Sequence, residues 1–76
     1  MEGFDEFVVK NRADLNKVST RTRVLKIYYP INVQDAVSIM RQCRTLEEVV
    51  FDKSSLARTE PEAKQYLDKW VFVETE

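Results

Sequence analysis

A short β-branched and aromatic run recurs about every twenty residues along this chain, and that recurrence restricts the fold more than any other feature. The runs cover 7–9, 24–29, 47–51 and 71–74, and such residues suit a pleated, packed surface. Each fits an apolar-x-x-apolar-x-apolar form beginning at Phe4, Val24, Leu46 or Leu67, so the first members lie 20, 22 and 21 residues apart. Neighbouring strands separated by that much chain are joined by crossovers rather than hairpins, and they therefore run parallel.

The intervening segments carry helical periodicity. Val33, Ala36, Val37, Met40 and Cys43 fall at three- and four-residue steps, as do Ala63, Tyr66, Leu67 and Trp70. The shorter segment 11–18 has room for only two turns, with Leu15 and Val18 facing inward. Helix starts are marked as well. Thr59 with Glu62 forms a capping-box pattern with Pro61 in the first turn, and Asn32 with Asp35 and Asn11 with Asp14 are weaker versions. Pro30 ends the second strand, and Asn32 supplies the helix amides with an acceptor of their own. The expectation is a single α/β domain over 1–76. It has four short parallel strands in sequential order, with connecting helices on one face (β-α-β-α-β-α-β). Trp70 lies between the last helix and the sheet, and Cys43 lies under the second helix.

At these positions the chain resembles a leucine-rich repeat. "VLKIYYPIN" follows the L-x-x-L-x-L-x-x-N form, and "CRTLEEVVF" looks like the cysteine-led start of such a unit. The segment "CRTLEEVVFDKSSLARTEPEAKQYL" (43–67) is also similar to a family of small archaeal proteins that carries no assigned activity. Both resemblances imply a fold, a short solenoid, rather than a reaction.

In the register that the repeat predicts, Phe7, Val9, Ile27, Tyr29, Val49, Phe51, Trp70 and Phe72 face the helices. The other face then shows a row of alternating charge, Glu6, Lys26, Glu48 and Lys69, where opposite signs on adjacent strands attract. Beside it runs a wholly apolar row, Val8, Tyr28, Val50 and Val71. An apolar row with no helices over it marks a protein-contact surface, with Tyr28 as its anchor. The function expected is a protein-protein interaction module using these eight residues, self-associating as a homo-dimer or docking to a larger assembly.

The residues for most other chemistries are missing. Without histidine the chain lacks the commonest general base and zinc ligand, and one cysteine builds neither a zinc site nor a disulfide. Cys43 sits on an apolar stripe, where a thiol packs rather than reacts. Ser54 and Ser55 have no histidine to activate them, and Gly3 is the sole glycine. No strand-to-helix junction therefore offers a phosphate-cradling loop. Glu47 and Glu48 are adjacent on a strand and point to opposite faces. The expectation is no enzyme, no cofactor and no metal.

Net charge is −1, but residues 10–44 carry eight basic groups against Asp14 and Asp35. That basic middle supplies the alternative reading, a nucleic-acid-binding accessory protein using Arg21, Arg23, Arg41 and Arg44. A free thiol, the lack of a signal pattern and the lack of a long apolar run read as cytoplasmic with no membrane partner.

Overall fold

The computed structural model describes residues 6–76, so the first repeat member, Phe4, lies outside it. Four strands, β1 (Glu6–Val9), β2 (Val24–Ile27), β3 (Glu48–Phe51) and β4 (Phe72–Thr75), form one all-parallel sheet in the order β1-β2-β3-β4. A 3-10 helix (Arg12–Lys17) connects β1 to β2, and α1 (Val33–Gln42) connects β2 to β3. Two helices, α2 (Lys53–Arg58) and α3 (Pro61–Asp68), separate β3 from β4. Sequential parallel order is the arrangement that the recurrence predicts.

The register differs from the repeat alignment. Glu6, Val24, Glu48 and Phe72 stand side by side, steps of 18, 24 and 24 residues. On β2 the slip is two residues and leaves every side chain on its expected face. On β4 it is three, an odd number, and that turns the strand over. Val71 is buried in the core at 7% exposure, whereas Trp70 and Phe72 are 64% and 74% exposed. The placements of Trp70 and Phe72 inside, and of Val71 and Lys69 on the open face, are corrected accordingly. The cause lies in α3. Its last carbonyls bind the amides of Lys69, Trp70 and Val71, and this turn fixes where β4 can begin.

One side of the sheet carries the core. Val9, Leu25, Ile27, Val49 and Phe51 pack with Leu15 and Val18 of the first connection, Ala36 and Ile39 of α1, and Ala63 and Leu67 of α3. Cys43, at the end of α1, is fully buried as predicted, and burial raises its thiol pKa. Ile39 is a core residue of α1 that the predicted stripe omits, while Val33 and Met40 flank it partly buried.

Local polar chemistry sets the helix ends. Asn32 Oδ1 accepts from the Asp35 amide at 2.8 Å and the Asp35 carboxylate accepts from the Asn32 amide at 3.2 Å, a full capping box. Asn11 Oδ1 accepts from the Asp14 amide at 3.1 Å, and Asp52 Oδ2 from the Ser55 amide at 3.3 Å. The predicted Thr59–Glu62 box does not form, because α3 begins after Glu60 with Pro61 at its first position. Thr59 instead ends α2. Its buried hydroxyl donates to the Ser55 carbonyl at 2.8 Å and accepts from the Ile31 amide at 3.2 Å, tying the α2–α3 junction to the chain ahead of α1.

Candidate interaction surface

No strand residue of the core cluster comes from the other side of the sheet. That side shows two rows across β1 to β4, one of Glu6, Val24, Glu48 and Phe72, the other of Val8, Lys26, Val50 and Glu74. The predicted apolar row is therefore broken by a lysine and a glutamate. Val8, at 41% exposure, keeps its place on this face, and so does Val50. Tyr28 follows β2, where its amide donates to the Val9 carbonyl at 2.8 Å.

Val50 is only 8% exposed although no core residue covers it from this side. Lys26 and Glu74 flank it on the neighbouring strands. Lys26 Nζ lies 3.0 Å from Glu6 Oε2 on β1 and 3.9 Å from Glu76 Oε2 beyond β4. The Tyr28 hydroxyl donates to both Glu76 carboxylate oxygens, at 3.1 and 3.3 Å. Strands two places apart are about 9.6 Å distant. Both side chains therefore reach from β2 over β3 to hold Glu76. Glu6 beside it holds the Lys26 ammonium above its usual pKa, and burial followed by Glu76 raises the Tyr28 hydroxyl. Of the predicted charge row, Glu6 and Lys26 do meet, while Glu48 meets Glu74 instead. A hydrogen bond with the Glu74 carboxyl, then burial, then like-charge repulsion from Glu74 hold Glu48 above the usual glutamate range.

The charged strap leaves the β4 end of the face open. Trp70 and Phe72 stand there with Leu46, Glu48 and Lys69 around an open groove of about 730 Å³. These two aromatics are the candidate contact residues that sequence reasoning places inside. On the outer edge β4 has no neighbour among the described residues. The amides of Phe72 and Glu76 bond to the Glu47 and Phe51 carbonyls, at 3.0 and 2.9 Å. Strand amides alternate sides, so those of Val73 and Thr75 point outward.

The predicted nucleic-acid residues are gathered at the N-terminal ends of β2 and β3. Gln42 Nε2 donates to the Val18 carbonyl at 2.7 Å, and Thr45 Oγ1 to the Thr20 and Thr22 carbonyls at 3.2 and 3.3 Å. These bonds dock the loop before β2 against the end of α1, so Arg21, Arg23, Arg41 and Arg44 lie exposed on neighbouring segments. Arg23 Nε lies 3.5 Å from Glu47 Oε2.

Among the described residues no helix is long and apolar enough to cross a membrane, and no group of three His, Cys, Asp or Glu side chains is placed to hold a metal. No known protein family, curated protein or solved structure matches the chain.

Proposed function

We propose that this protein is a non-enzymatic protein-protein interaction module that self-associates through the β4 end of its open sheet face. The observation that carries the reading is the exposure of Trp70 and Phe72, 64% and 74%, around one open groove at the β4 edge of the sheet. Large aromatics dominate interface energetics, and a small domain gains stability by covering them. Three of the four buried polar residues, Asp35, Ser55 and Thr59, are engaged in caps and inter-element bonds, which supports a non-catalytic reading, and the fourth is the isolated hydroxyl of Thr22. The sequential parallel order supports a short leucine-rich-repeat-like solenoid, and the buried free thiol of Cys43 suits a cytoplasmic setting. Sedimentation across a concentration series tests the reading. Average mass should rise with concentration for the wild type and stay at the monomer for Trp70→Ala/Phe72→Ala. A wild type that stays monomeric throughout sinks it.

The gathering of Arg21, Arg23, Arg41 and Arg44 favours a second reading, contact with a phosphate backbone. Retention on heparin that falls steeply with salt and weakens in Arg41→Ala/Arg44→Ala supports it. Retention indifferent to both changes removes it.

A further inference from the structure

We propose that β4 pairs antiparallel with β4 of a second copy, about a two-fold axis perpendicular to the sheet and passing between the two Val73 residues. The proposal rests on the self-associating reading and specifies how the copies meet.

Hydrogen bonding and charge select the register. The outward donors of β4 are the Val73 and Thr75 amides, because Phe72 and Glu76 bond inward to β3. A trans peptide sets each carbonyl opposite the next amide. The carbonyls of Val71, Val73 and Thr75 therefore point outward too. The Val71 amide already bonds to the Leu67 carbonyl at 2.9 Å and is not free. Setting Val73 opposite the partner's Val73, and Thr75 opposite the partner's Val71, uses all four free donors and asks nothing of the Val71 amide. Shifting the strands by two residues one way sets Thr75 opposite the partner's Lys69, before the strand begins. Shifting them the other way sets Glu74 directly opposite the partner's Glu74, where like charges repel.

The side chains agree with that register. With the axis perpendicular to the sheet, both open faces lie on one side, as closed two-fold pairing allows. Phe72 then lies diagonal to the partner's Phe72 at about 7–8 Å, within reach of aromatic rings. Charge also complements itself. Lys69, which makes no salt bridge among the described residues, precedes β4, while Glu74 and Glu76 lie along it and after it. Antiparallel pairing brings the basic end of one copy to the acidic end of the other. Four aromatic rings contribute on the order of 400–700 Å² once their present exposure is allowed for. The paired backbones and Val73 add to this, toward the roughly 1,000 Å² that a specific interface needs. The product is a continuous eight-stranded sheet with antiparallel pairing only at its centre.

The test uses the full chain with two variants. Thr75→Pro removes an outward amide at an exposed position, sparing the fold, and should weaken association about tenfold or more. Val73→Cys should oxidise to a covalent dimer, since hydrogen-bonded antiparallel partners sit about 5.5 Å apart at Cα, within disulfide range. Lys64→Cys on α3 is the control and should not cross-link at low concentration. Both results together support the pairing. A wild type that is monomeric at every concentration overturns both the pairing and the self-associating reading, and leaves the β4 edge to a different protein's strand. A dimer that ignores Thr75→Pro and does not cross-link at position 73 overturns the edge pairing alone.

Discussion

Arg12 holds Asp35 in a two-point grip, with Nε donating to Oδ1 at 3.1 Å and Nη2 to Oδ2 at 2.7 Å. Asp35 is nearly buried and Arg12 mostly exposed, so the pair fastens the connection after β1 to the first turn of α1 from outside. The same carboxylate completes the capping box of α1. Asp35→Ala should therefore lower stability by about 1–3 kcal/mol, the range for a lost cap and a buried partner. Asp35→Asn, which keeps an acceptor, should cost less. Urea denaturation of both variants checks the order, and equal losses would mean that the cap contributes nothing.

Phe51 and Trp70 should respond oppositely to truncation. Phe51 is fully buried, and Phe51→Ala should cost about 3–5 kcal/mol, enough to unfold a domain of this size. Trp70→Ala should stay within about 1 kcal/mol in dilute solution, because most of the ring is already wet. Acrylamide should quench Trp70 emission readily when dilute and less readily as association proceeds. Weak quenching at every concentration contradicts the exposed placement.

Tyr29 lies against the Arg12–Asp35 pair with its hydroxyl buried. Burial pushes its pKa up to about 12, with Asp35 adding to the rise and Arg12 opposing it. Since the folded state holds the proton more tightly than the unfolded chain, Tyr29 lowers stability as pH rises from about 10 toward 12. Tyr29→Phe should match or exceed the wild type at pH 7 and lose less above pH 10. A phenolate absorbance titration should show one tyrosine ionising late, and that step should vanish in the variant.

Glu48 is raised by Glu74, so the fold is favoured when Glu48 is protonated and opposed as it ionises. The contribution is full below the ordinary value of 4.5 and is lost as pH rises through the raised one. Glu48→Gln should then increase the thermal midpoint at pH 7 and leave it unchanged near pH 3. Equal shifts at both values would assign the effect to packing instead of charge.

How much of this is legible in the sequence depends on which periodicity decides the matter. Asn32 and Asp35 announce α1 because a cap is a short-range device, and the spacing of apolar runs implies parallel, sequential strands. The face of β4 cannot be read the same way. Trp70, Val71, Phe72 and Val73 are all apolar, so alternation fits either parity, and size alone favours putting the aromatics inside. The turn at the end of α3 decides it, and that turn depends on where the helix stops. α2 escapes a sequence reading for a related reason: Asp52 and Ser55 mark its start, but six residues hold too little periodicity to register. The strap across β3 involves Glu6, Lys26, Tyr28 and Glu76, drawn from β1, β2 and the segments after β2 and β4, which no local pattern joins.

The sequential strand order also bears on how the chain folds. Each strand closes onto its predecessor through 18 or 24 residues, and the entropic difference between such loops is only about 0.3 kcal/mol. Loop length therefore chooses no starting point, and burial must. Leu25, Ile27, Cys43, Val49 and Phe51 are fully buried around β2, α1 and β3, whereas β4 has no fully buried residue. That central unit should form the nucleus and β4 should dock last. Amide hydrogen exchange would then be slowest at Leu25 and Val49 and fastest along β4, whose outer edge pairs with no other strand among the described residues.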